Sequence, residues 1–81
     1  MTDAEILDGV RAVVRTYLGV EHEIGMETLL VEALALDSLR TLTLVAELEN
    51  RFRVCFEDGD EAGLTTVASL VALLHRLLLE R

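Results

Sequence analysis

Only a few residues in this 81-residue chain have side chains that could take part in chemistry. They are the pair Asp37-Ser38, inside the run "LALDSLRTL" over residues 34–42, two histidines, His22 and His75, and one cysteine, Cys55. A catalytic serine needs a base within hydrogen-bond reach and a third group to orient that base. His22 stands between Glu21 and Glu23 in a stretch expected to face solvent, and His75 borders an apolar helical stripe. No G-x-S-x-G turn surrounds Ser38, so a nucleophilic hydrolase is rejected and no catalytic residue is assigned. A single cysteine excludes an internal disulfide, and no Cys/His spacing suits a metal. Cys55 therefore has no assigned role.

Two roles remain for Ser38. Serine and aspartate both favour helix starts, where a side-chain oxygen accepts a free backbone N–H, and on the local residues alone a cap suffices. The alternative is a hydroxyl that carries a phosphate ester. The free N–H groups and partial positive charge of a helix N-terminus suit a phosphodiester. Asp37 is an odd neighbour for a bound free anion and fits better as a contact for a modifying enzyme or its metal.

The elements that must position this pair follow from periodicity and punctuation. Thr2-Asp3-Ala4-Glu5 matches a capping box, and Ile6, Leu7, Val10, Val13, Val14, Tyr17 and Leu18 recur at helical spacing. Gly19 is a natural stop, so a first helix is expected over residues 3–18, with Gly9 as a tolerated weak point. Residues 19–37 form a long connection anchored by Ile24, Met26, Leu29, Leu30 and Leu34, with a short turn of helix. A second helix runs from Ser38 to Arg51 or Phe52, its buried stripe read as Leu39, Leu42, Val45, Leu48 and Phe52. Val54 and Phe56 point inward from an extended stretch, "EDGDEAG" holds a short, weak third helix, and Thr65 or Thr66 caps a last helix ending near Leu79. The fold class is all-α: a small four-helix bundle of three main helices and one weak one, with a long loop between the first two.

Bulk properties narrow the function. A chain of this length forms one domain, 1–81, and buries about 60–65% of its unfolded surface, too little for a core plus a deep catalytic cavity. The core is aliphatic, with Tyr17, Phe52 and Phe56 as its larger anchors. A net charge of −8, with arginine as the only basic type, makes nucleic acid a poor partner. The acidic N-terminus lacks a secretory signal, and no apolar run reaches the ~20 residues needed to cross a bilayer. The chain reads as cytoplasmic, monomeric and not membrane-bound.

The run "LVEALALDSLRTLTLVAELENRF" resembles the acyl carrier proteins, whose hallmark is D-S-L at the start of a helix that ends in an E-x-x-F-like segment. The resemblance continues through "VCFEDGDEAGLTTVASLVALL", with the family's acidic third-helix region and its T-T-V entry to the last helix, and covers residues 30–74 in register. It implies a non-catalytic carrier. Ser38 would be esterified with 4′-phosphopantetheine from coenzyme A by a phosphopantetheinyl transferase. The arm's thiol would hold acyl groups as thioesters for loading, condensing and tailoring enzymes. Asp37, Leu39, Arg40, Thr43 and Glu47 would face those partners, and Leu42, Val45, Leu48, Leu64, Val67 and Val71 would shelter an acyl chain.

Departures from the family pattern bear on the pathway. Ala35 stands where glycine is common, Arg40 follows D-S-L where an acid is common, and Thr43 replaces a later acid. Net charge is −6 over residues 1–37, +1 over 38–56 and −3 over 57–81. The recognition helix is the least acidic part, which points to specialised metabolism of polyketide type. A peptidyl carrier is the nearest alternative, although Leu36 and Asp37 replace its usual glycine and histidine. From a different class, a helical interaction module would use Ser38 only as a cap. The opening Met and capped first helix favour a free-standing protein.

Overall fold

Helix boundaries fall where side chains can satisfy the unpaired backbone groups of a helix end. In a computed structural model describing residues 1–81, α1 spans Asp3–Leu18. Thr2 accepts from the Glu5 N–H, and the Glu5 carboxylate accepts from the Thr2 N–H at 2.8 Å. That backbone donor, and then the Thr2 hydroxyl, hold the Glu5 carboxyl below its ordinary range. Gly19 closes α1 in the left-handed region, φ 67°.

The connection after α1 is ordered by long-range backbone pairing. Leu30 N–H donates to Thr65 O at 2.9 Å, while Val67 and Ala68 N–H donate to Thr28 and Met26 O at 2.9 and 2.8 Å. The loop carbonyls thus satisfy the first free donors of the last helix, and Arg11 Nε holds Ile24 O at 2.8 Å from α1. A short α2, Leu30–Leu34, ends at Ala35 with φ 51°, a left-handed conformation that costs an alanine about 1 kcal/mol. Helix α3 spans Ser38–Phe52 and is closed by Arg53, also left-handed at φ 57°. Val54 is buried and Phe56 half-buried beyond it, and the acidic stretch forms only a 3₁₀ turn, Asp60–Gly63. Helix α4, Val67–Glu80, is capped by Thr66, with Ser69 completing the reciprocal pair.

The buried side chains form one cluster of 18 apolar residues. Helix α1 packs against both α3 and α4. It contributes Ile6, Val10, Val13, Val14 and Leu18, which meet Leu44, Leu48 and Phe52 of α3 and Val67, Leu70, Val71, Leu74 and Leu77 of α4. Gly9 is more than a weak helix residue: a Cβ there would lie 2.5 Å from Cζ of the buried Phe52.

Several sequence expectations are corrected here. The buried stripe of α3 is Leu44, Leu48 and Phe52, at spacing four, whereas Leu39 and Leu42 are 72% and 68% exposed. The leucine-rich helix carries apolar residues on more than one face, and the position of α1 and α4 selects the inner one. Tyr17 is 53% exposed and anchors nothing, because Val13, Val14 and Leu18 take the inner face of α1. Leu29 is likewise about half-exposed at the edge of the loop.

Candidate functional site

The turn into α3 is built from four residues. Ala35 reverses the chain, its N–H and that of Leu36 both donating to Val31 O. Leu36 packs half-buried on the core, and Asp37 is extended. The Asp37 carboxylate then accepts the Arg40 N–H at 2.8 Å. Asp37, and not Ser38, is therefore the helix cap. The physical reason is register: the turn ends in extended geometry at Asp37, so Ser38 already lies in the helix as its first residue.

This correction changes what the serine can do. Ser38 is exposed and has no capping duty, so its hydroxyl is available to an incoming enzyme. The N–H groups of Ser38 and Leu39, at the first helical positions, have no carbonyl within the helix to bond. Together with the partial positive charge of a 15-residue helix, they favour a phosphodiester on that hydroxyl. The site fits an esterified phosphate arm.

The other expected site residues are divided by the fold. Leu39 and Leu42, three residues apart on α3, form an outward apolar strip that starts beside Ser38. Thr43 is half-buried and donates its hydroxyl back to Leu39 O at 3.1 Å. Glu47 lies away from that strip, beside a groove of about 280 Å³ between α1 and α3 that Tyr17 and Arg51 also line. Arg40 turns inward: its guanidinium donates to Leu34 O at 3.0 and 2.8 Å and to Leu18 O at 3.0 Å. The sequence carried no signal for this, since an arginine in the first turn of a helix reads as a surface charge.

Among the expected acyl-sheltering residues, Leu48, Val67 and Val71 are buried, and Val45 and Leu64 are half-buried. Leu42 is not part of the core. With Val45 and Phe56 it lines an open groove of about 160 Å³ between α3 and the acidic segment.

The remaining chemical groups lie outside this turn. His22 has its ring nitrogens 3.2 Å from Glu23 O and 3.0 Å from Ala33 O, linking the long loop to α2. His75 Nδ1 lies 3.2 Å from Asp3 Oδ1 without a hydrogen-bond partner. Cys55 is exposed, and no group of three His, Cys, Asp or Glu is placed to hold a metal ion.

Comparison with known proteins agrees with this geometry. The family model for the phosphopantetheine attachment site matches residues 8–74. The chain is 33% identical over 78 residues to the meromycolate extension acyl carrier protein of Mycobacterium tuberculosis strain H37Rv, spanning 95% of this chain and 68% of that one. It is 38% identical over 72 residues to the acyl carrier protein of Chlorobium phaeovibrioides, spanning 88% and 92%. A solved chain from Mycobacterium tuberculosis, described as an acyl carrier protein, has the same fold, with a TM-score of 0.80 at 24% identity over 88% of this chain and 96% of its own. The chain belongs to the acyl carrier proteins, non-catalytic carriers with a covalently attached 4′-phosphopantetheine.

Proposed function

We propose that Ser38 is the attachment residue and that the chain holds acyl intermediates for enzymes that extend carbon chains. One observation carries the assignment: Asp37 takes the cap and leaves an exposed serine hydroxyl at the first position of α3. In the loading step, the Ser38 oxygen forms a bond to the phosphorus that bears pantetheine in coenzyme A. The phosphoanhydride P–O bond breaks, 3′,5′-ADP leaves with the electron pair, and the hydroxyl proton passes to a base of the phosphopantetheinyl transferase. Once attached, the arm supplies a terminal thiol for thioester formation. The chain's own residues present that linkage: Asp37 fixes the start of α3, and Leu39 and Leu42 offer partner enzymes an apolar strip beside it.

The name of the mycobacterial relatives, meromycolate extension acyl carrier protein, supports acyl extension as the pathway class. A polyketide-type pathway is the second reading, supported by the +1 balance of residues 38–56 against −8 overall. With Arg40 turned inward, that argument rests on Arg51 and Arg53, both exposed. The carrier acts as one domain, 1–81, monomeric and cytoplasmic; no helix is long and apolar enough to cross a membrane.

Incubation with coenzyme A, Mg²⁺ and a broad-specificity phosphopantetheinyl transferase should add one arm's mass. Tandem mass spectrometry should locate it on Ser38, and Ser38→Ala should remain folded and unmodified. Label at another residue, or none with several competent transferases, overturns the assignment. Mass analysis of the arm on protein from its native host separates the pathways: saturated long chains favour acyl extension, and β-keto chains favour the polyketide reading.

A further inference from the structure

The guanidinium of Arg40 occupies an unusual position for a basic residue in the first turn of a helix. At the N-terminus of α3 its charge opposes the helix dipole, so α3 itself gives no reason for it to be there. The reason lies in two other helices. Leu18 and Leu34 are the last residues of α1 and α2, and terminal carbonyls lack intrahelical donors and carry partial negative charge. Arg40 serves both. Nε and one terminal nitrogen donate to Leu34 O, and that same terminal nitrogen also reaches Leu18 O. A planar guanidinium can span two carbonyls in this way, and an ammonium cannot do so with comparable geometry.

The backbone of the same residue is held from the other side, since its N–H donates to the Asp37 carboxylate. Ser38 therefore sits between two fixed points. The Asp37 cap pins it on one side, and on the other the Arg40 side chain ties α3 to the ends of α1 and α2. Without the Arg40 side chain, the turn before Ser38 keeps the bonds of Ala35 and Leu36 to Val31, the Asp37 cap on the backbone N–H of residue 40, the Thr41 N–H bond to Asp37 O and the partial burial of Leu36, but loses its tie to the ends of α1 and α2. One of those residues, Ala35, is in a left-handed conformation that disfavours the turn.

We propose that Arg40 is a positioning residue for the loading of Ser38, holding the hydroxyl in the orientation from which a transferase can phosphopantetheinylate it. This rests on the reading of Ser38 as the attachment residue. It also replaces the expectation that Arg40 is read by partners as a surface charge. Orientation of a reacting group acts on turnover, and a displacement of about 1 Å can cost on the order of 100-fold. Loss of a surface contact acts on KM.

The test measures kcat and KM for phosphopantetheinylation of wild type, Arg40→Gln and Arg40→Lys by one broad-specificity transferase, at a temperature where circular dichroism shows each folded. Both variants should lose kcat, by roughly 10- to 100-fold for Arg40→Gln, with little change in KM. Arg40→Lys should remain impaired although it retains the charge. Exchange of the hydrogen-bonded amides of Ala35, Leu36 and residue 40 should accelerate in both, which reports the clasp independently of any enzyme. A folded Arg40→Gln with unchanged kcat, or a KM defect that Arg40→Lys restores, overturns the proposal. If Arg40→Gln does not fold, Arg40→Lys decides, and wild-type kcat and exchange in that variant overturn it. A wild type that no transferase modifies overturns the attachment reading instead, and that outcome is distinguishable because it appears without any substitution.

Discussion

An aspartate at a helix cap and a serine one residue inside the helix act through different physics. The Asp37 carboxylate contributes a charge-assisted bond to the Arg40 N–H and a favourable interaction with the helix dipole. The Ser38 hydroxyl contributes to neither, so it can be esterified without removing a structural bond. Substitution should separate the two. Asp37→Ala is expected to lower stability by about 0.5–2 kcal/mol. Ser38→Ala, at an exposed position with no capping role, should stay within about 0.5 kcal/mol of wild type. Urea denaturation of both variants checks this, and a larger loss for Ser38→Ala would return the capping duty to the serine. The aspartate and the serine are adjacent in sequence and are both good caps. Choosing between them required the conformation of the turn at Ala35 and Leu36, which no local preference supplies.

At the level of elements, the contact between α1 and α3 shows how packing overrides propensity. In an exposed helix, replacing glycine by alanine is favourable by roughly 0.5–1 kcal/mol. At Gly9 the added Cβ would meet Phe52 Cζ at 2.5 Å and Arg51 Nε at 3.1 Å. Phe52 is buried and cannot move aside without disturbing the core, and such overpacking costs about 1–3 kcal/mol. Gly9→Ala is therefore expected to destabilise by roughly 1–2 kcal/mol net, measurable as a lower thermal midpoint. A raised midpoint would mean that α1 and α3 separate more easily than their packing implies. The sequence correctly placed the helix around Gly9 but could not reveal why glycine stands there, because the crowding atoms come from Arg51 and Phe52, far along the chain.

For the molecule as a whole, a domain of this size buries about 60–65% of its unfolded surface, and one cluster of 18 residues carries its stability. The inward face of α3 then becomes a decisive quantity. Leu48→Ala, at a fully buried site, should cost about 2–5 kcal/mol, a large part of the ~5–15 kcal/mol typical of a folded domain. Leu42→Ala should change stability by no more than about 0.5 kcal/mol and instead weaken use by partner enzymes. Thermal melts of the two variants test the assignment, and equal losses would restore the leucine stripe read from spacing. The sequence by itself determined the helix boundaries at Thr2 and Gly19, narrowed the last cap to Thr65 or Thr66, and carried the D-S-L register that identifies the carrier family. Those signals act between residues three or four apart, or reside in the residue itself. Only the tertiary structure decided which leucines of α3 face inward, which residue caps that helix and where the Arg40 charge goes. Helix α3 bears leucines on several faces, and Arg40 reaches a carbonyl 22 residues earlier in the chain. Such choices depend on where neighbouring helices lie, and local preference does not encode that position.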